Sequence, residues 1–208
     1  MADLKALSEA IIKGDQNKAV EVTKKALAEG MSPEAVLTEG LIAGMNVIGV
    51  RFKANEVYIP EVLIAARAMK MAMQILEPKL IEAGVEPLGK ALLGTVQGDL
   101  HDIGKNLVVM MLKGAGFEVV DAGVDVSPDS FVAKIRESGA QVVGLSALLT
   151  TTMPAMEKTI QAIREAGLAA KVMIGGAPVT QGYADKIGAD GYAGDAASAV
   201  DLAKSLLN

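Results

Sequence analysis

Gly98-Asp99-Leu100-His101-Asp102-Ile103-Gly104 is the stretch on which the fold turns. It holds the chain's one histidine and follows a short apolar run at residues 91–96. Similar runs recur at 117–120, 141–145, 171–174 and, weakly, 191–193, each followed by a helix-like segment of about ten or more residues. Alternation of this kind predicts a doubly wound, Rossmann- or flavodoxin-like five-stranded parallel sheet with helices on both faces. Such sheets bind ligands in the crevice beyond the C-terminal strand ends. Four features fall there: the 98–104 segment, Ser146-Ala147-Leu148, Gly175-Gly176 and Gly194-Asp195-Ala196.

Upstream the period is helical. Leu4, Leu7 and Ile11 are three and four apart, and Gly14 ends that helix. Asp15 caps a second helix carrying Ala19, Val22 and Ala26 to a stop at Gly30. Ser32-Pro33 is a start signal for a third, a capping residue followed by proline in the first turn. That helix is apolar on two stripes (Val36, Ala43, Val47 and Val50; Leu37, Leu41 and Ile48), the pattern of a buried helix. Pro60 opens a fourth with Val62, Ala66, Met69, Met73 and Leu76. Short turns between four helices predict an antiparallel bundle. The segment 82–90 has linker composition. The expected organisation is a helical cap domain over 1–84, a linker over 85–90 and an α/β domain over 91–208.

Half of the 208 residues are hydrophobic (51%), yet the aromatics are three Tyr and three Phe, so aliphatic side chains and eleven Met must fill the core. The net charge of -5 is spread without a Lys/Arg block, which argues against nucleic acid or an anionic membrane as partner. No basic-then-apolar leader and no uninterrupted apolar stretch of spanning length is evident. With no Cys there is no disulfide or thiolate metal site. The expectation is a soluble, cytoplasmic protein.

A lone imidazole without Cys cannot build the usual four-ligand zinc site, although carboxylates could contribute. One histidine suffices where a macrocycle supplies the remaining coordination. Asp99, two residues before His101, points to the same side in an extended segment. Its carboxylate can accept the Nδ1 proton, which leaves Nε2 free for a metal. Taken alone, D-x-H-x-x-G fits an ordinary loop over a helix start equally well, and Gly175-Gly176 is a common turn signal. Paired glycines beside a strand end also leave room for a bulky group between strands.

D-x-H-x-x-G, then S-x-L, then G-G, in this order on a five-stranded α/β domain, resembles the cobalamin-binding module of methionine synthase and of the corrinoid proteins of methyltransferase systems. The resemblance implies that His101 is the lower axial ligand of cobalt in a cobalamin or related corrinoid, with Asp99 as its hydrogen-bond partner. Thr152 matches a serine hydroxyl that completes a relay with the Asp in methionine synthase; threonine keeps the hydroxyl and adds a methyl. The family pattern also implies contact of Gly98, Leu100, Asp102, Ile103 and Gly104 with the cofactor. Ser146, Leu148, Thr150, Gly175, Gly176, Gly194, Asp195 and Ala196 would lie near its nucleotide tail.

The stretch Arg51-Phe52-Lys53-Ala54-Asn55-Glu56-Val57-Tyr58-Ile59-Pro60-Glu61-Val62 resembles the family's cap, which implies that Phe52, Ile59 and Val62 cover the upper corrin face. Without the second half of the chain these three would read as ordinary bundle residues.

The cap separates this chain from adenosylcobalamin isomerases, which share D-x-H-x-x-G but set the cofactor against a catalytic barrel. A cap suits methyl transfer, where cobalt(I) and methyl-cobalt(III) need shielding from solvent. The implied role is a methyl carrier that is not catalytic on its own. The resemblance implies as partners a substrate-specific methyltransferase, a second methyltransferase that methylates tetrahydrofolate or a thiol, and a reductive activase. A catalytic barrel needs about 250 residues, more than this chain holds. A corrinoid-dependent sensor is the alternative, and it would carry a DNA-binding or signalling domain. A phosphoacceptor receiver needs an acidic residue where this chain has Ser146.

Overall fold

The computed structural model describes residues 3–208, which fall into two units, one of residues up to 87 with 114–116 and the other of 88–113 with 117–208. Each helix of the first unit starts where the sequence supplies a cap. In α1 (Leu4–Lys13) the Asp3 carboxylate accepts the Lys5 N–H at 2.9 Å, and Gly14 closes the helix at φ 67°. In α2 (Gln16–Ala28) Asp15 accepts the Lys18 N–H at 3.0 Å. Ser32 caps α3 (Pro33–Lys53), and Pro33 occupies its first turn, where the missing N–H costs nothing. Glu61 closes the start of α4 (Ile59–Glu82) by accepting the Tyr58 N–H at 3.0 Å.

Helix α3 departs from the two-stripe expectation. Its residues Val36–Ile42 are wound as a π-helix, whose i→i+5 bonds shift the phase of everything beyond. The buried line therefore steps by five from Val36 to Leu41 and continues through Met45 to Ile48, while Val50 is 68% exposed. Gly40 and Gly44 lie on the inner side. A Cβ on Gly44 would stand 2.7 Å from Ile11 Cβ and 2.8 Å from Ser8 O, so α1 crosses α3 at a distance only glycine permits. By length and a mean hydropathy of 1.3, α3 passes as a membrane span, against the expectation from sequence; in this unit its glycine line packs on α1. In α4 the enclosed residues are Val62, Ala65, Ala68, Met69, Ala72, Leu76 and Leu80, and α2 lies against this helix. The expected Ala66 and Met73 are only half-buried, and the small enclosed alanines let the two helices approach.

The second unit is a five-stranded parallel sheet of order β2-β1-β3-β4-β5. Its elements are β1 (Lys90–Val96), α5 (Ile103–Gly114), β2 (Glu118–Val126), α6 (Pro128–Ser138), β3 (Val142–Ser146), α7 (Pro154–Glu165), β4 (Lys171–Gly175), α8 (Gln181–Ile187), β5 (Gly191–Tyr192) and α9 (Ala196–Leu206). Phe131, Met156, Ile160 and Ile163 from α6 and α7 pack with Leu92, Val143 and Val172 of the sheet. The chain leaves β1 for β2 on one side and returns to β3 on the other. This reversal opens a crevice between the C-terminal ends of β1 and β3, where ligands of such folds bind. The loops after Val96 and Ser146 border it.

Strand β2 runs six residues past the expected end at Val120. Its far half is polar and irregular: Leu93 pairs with Asp121, Gly94 with Gly123 and Val96 with Val126, so β2 gains a residue on β1 at two steps. Gly123 (φ 90°) and Asp125 (φ 52°) absorb these bulges.

Candidate functional site

The site is built around one carboxylate. Beyond Val96 the chain turns through Gly98 at φ 85°, and the Asp99 side chain folds inward until it is fully buried. Its Oδ1 accepts the His101 backbone N–H at 3.0 Å and lies 2.7 Å from His101 Nδ1. Its Oδ2 accepts the N–H of Leu148 at 2.8 Å, that of Leu149 at 3.3 Å and the Thr152 hydroxyl at 2.7 Å. Burial by itself would push this carboxyl up. The bonds from Thr152, His101 and Leu148 outweigh burial and hold it well below the usual carboxylate range. An ionised carboxylate only accepts, so the Nδ1 facing it carries the imidazole proton. Nε2 then presents a lone pair on a ring that is half exposed.

Three elements far apart in sequence meet here. The loop after β1 supplies Asp99 and His101, the loop after β3 supplies the two amides, and the turn before α7 supplies the hydroxyl. Ser146 closes β3 opposite Gly175 of β4. Gly176 has φ 133° and faces the Ala147 carbonyl so closely that any Cβ would collide with it. Around the imidazole the surface is apolar or bare: Leu100 is 72% and Ile103 76% exposed, Leu148 is exposed, and nothing lies within 4 Å of a Cβ placed on Gly104. Thr150 is exposed, and Asp102 accepts a bond from Asn106 Nδ2 at 3.0 Å.

Asp195 is committed to capping α9, where it accepts the Ser198 N–H at 2.8 Å and the Ser198 hydroxyl at 2.7 Å. Ala196 is enclosed behind it, while Gly194 is exposed. In the helical unit Phe52 is half-buried at the end of α3 and Ile59 is 43% exposed at the start of α4. Val62 is fully enclosed, so in this arrangement it has no surface to offer a ligand, unlike Ile59 three residues before it.

Several supporting residues escape the motif. Thr95, fully buried in β1, donates its hydroxyl to the His101 carbonyl at 2.8 Å. Lys105, nearly as buried, is clamped by both oxygens of Asp121 at 2.6 and 2.7 Å. Asp125 accepts the Gly98 N–H at 2.7 Å and donates its own N–H to the Asp99 carbonyl at 3.0 Å. A lysine within an apolar helix start and two aspartates four apart, at 121 and 125, are the only traces these leave in sequence.

Among the described residues no cluster of three or more His, Cys, Asp or Glu could hold a metal by itself. The protein offers one oriented nitrogen, over a surface of leucine, isoleucine and glycine. That donor set fits a metal whose other ligands come from a broad, flat macrocycle, and a corrin meets this description.

Known proteins agree with the geometry. A family model described as B12 binding domain matches residues 89–201, and a second of the same description matches 3–77. The chain is 45% identical over 213 residues to dimethylamine corrinoid protein 3 of Methanosarcina acetivorans, covering 100% of both. It is 43% identical to a corrinoid protein of Desulfitobacterium hafniense, covering 100% of this chain and 98% of that one. Among solved structures, the methanol:cobalamin methyltransferase complex of Methanosarcina barkeri has a chain similar at TM-score 0.87 and 27% identity, covering 98% of this chain and 79% of that one.

Proposed function

This chain belongs to the B12 binding domain family, and from that membership we propose a corrinoid-binding methyl carrier that serves methyltransferases. The observation that carries the reading is the buried, ionised Asp99 holding His101 with Nε2 outward. When bound, the corrinoid supplies a cobalt that takes up a methyl group and gives it back. The chain's own residues prepare the lower side of that cobalt. His101 Nε2 would hold the cobalt. Asp99 fixes the tautomer, and the amides of Leu148 and Leu149 with the Thr152 hydroxyl keep Asp99 charged and still. Leu100, Ile103, Leu148 and Gly104 offer an apolar surface on which a flat ring would rest. Ser146, Gly175 and Gly176 leave the β3 and β4 ends slim enough for a nucleotide tail.

The partners follow from the carrier's role. One methyltransferase, selective for the methyl donor, loads the cofactor; a second unloads it to tetrahydrofolate or a thiol; a reductive activase restores cofactor lost to oxidation. The reading places the protein in the cytoplasm. In the helical unit, Phe52 and Ile59, of the three residues expected to cover a corrin, keep exposed surface.

The test is to load the purified chain with cobalamin and compare its absorption spectrum with that of His101→Ala. The wild type should show imidazole-ligated cobalt, and the variant should bind more weakly and lose that signature. Identical spectra would sink the ligand assignment.

A further inference from the structure

We propose that Asp125 is a positioning residue for His101: from the bulged end of β2 it pins the backbone of the 98–101 loop and so sets where the imidazole stands. The proposal rests on the reading of His101 as the cobalt ligand.

The loop begins at Gly98, whose φ of 85° marks it as a free swivel unless something holds it. Asp125 holds it twice. Its Oδ1 accepts the Gly98 N–H at 2.7 Å, and its backbone N–H donates to the Asp99 carbonyl at 3.0 Å. These bonds fix the peptide groups on either side of the Gly98–Asp99 link. They aim the Asp99 side chain inward, where its carboxylate orients the ring. Thr95 secures the far side through the His101 carbonyl. The reach of Asp125 depends on the irregularity of β2. Two bulges carry the strand out of register with β1, from Leu93↔Asp121 to Val96↔Val126, and put residue 125 at φ 52°. Among residues with a side chain, Asp and Asn best tolerate that region.

His101 is the only histidine, so 15N-labelled histidine reports on one imidazole. In the cofactor-free full chain at mildly alkaline pH, the wild type should show one tautomer, protonated at Nδ1. Asp125→Ala should show a mixture, bind cobalamin about 10-fold more weakly, and lose part of the nitrogen splitting in the electron paramagnetic resonance spectrum of bound cob(II)alamin. Asp125→Asn, which keeps an oxygen acceptor and suits the same φ, should restore all three. If Asp125→Ala fails to fold, Asp125→Gly takes its place, since glycine relieves the backbone and removes only the carboxylate. A wild-type tautomer and affinity in whichever of these variants folds would overturn the proposal. A nitrogen splitting of bound cob(II)alamin that labelling with 15N-histidine leaves unchanged would instead refute the ligand reading, since the cofactor's own base also carries a nitrogen, and the cofactor-free tautomer would still judge Asp125.

Discussion

The two units hold their shape by different means. In the helical unit the polar side-chain bonds are local, such as Asp15 to Lys18, Ser32 to Ala35 and Glu61 to Tyr58, each three residues apart. What joins its helices is apolar contact and close approach, as where Gly44 meets Ile11 and Ser8. In the α/β unit polar bonds span long stretches: Asp99 reaches Leu148 and Thr152, 49 and 53 residues on, and Lys105 reaches Asp121, 16 on. Apolar packing is forgiving and spread over many groups. A buried carboxylate with several donors is concentrated, and its loss affects all of them at once.

That contrast can be broken most directly at Asp99. Asp99→Ala leaves the Leu148 and His101 amides without their acceptor and the Thr152 hydroxyl with only the Leu149 carbonyl at 2.9 Å. It should cost about 3 kcal/mol in urea unfolding and weaken cobalamin binding by about 10- to 100-fold. Loss of affinity without loss of stability would mean that the carboxylate only orients the ring.

Acid should act on the same residue. The folded carboxyl sits below its ordinary value, so its stabilisation is complete above the unfolded value and fades as pH falls toward the folded one. Stability should therefore decline below about pH 5. Asp99→Asn should flatten that decline only in part, because Asp121 and Asp190 are held low too, against burial, by bonds from Lys105 and from Val172 and Arg164 respectively.

In the helical unit the corresponding probe is Gly44→Ala. The added methyl overlaps Ile11 and a backbone oxygen, and it should cost about 2 kcal/mol while leaving the His101 tautomer unchanged. A cost matching that of Asp99→Ala would erase the distinction between the units.

The smallest effect has the opposite sign. Thr23 is fully buried in α2 with an unpartnered hydroxyl, so Thr23→Val keeps the shape and removes the burden. It should raise stability by about 1 kcal/mol in thermal unfolding.

Local chemistry was enough for the element types, because caps, prolines and apolar periods act over a few residues. Ser32-Pro33 announces α3, and Asp99 and His101 announce their pairing, since two residues of extended chain bring them together. The π-helical phase of α3 was hidden, because a change from i+4 to i+5 is settled by what Gly40 and Gly44 pack against. The second half of β2 was hidden as well. Asp121 and Asp125 interrupt its apolar run, and only pairing with β1 keeps them in the sheet.

By itself the sequence determined the order of elements, the carboxylate–imidazole pair and the glycines that flank it, all of which follow from neighbours on the chain. The tertiary structure decided what those residues experience. It brought the Leu148 and Thr152 donors to Asp99, enclosed Val62 and delivered Asp125 to the loop. Burial and bonds across about fifty residues arise only when strands take their places in the sheet, and no local pattern carries them.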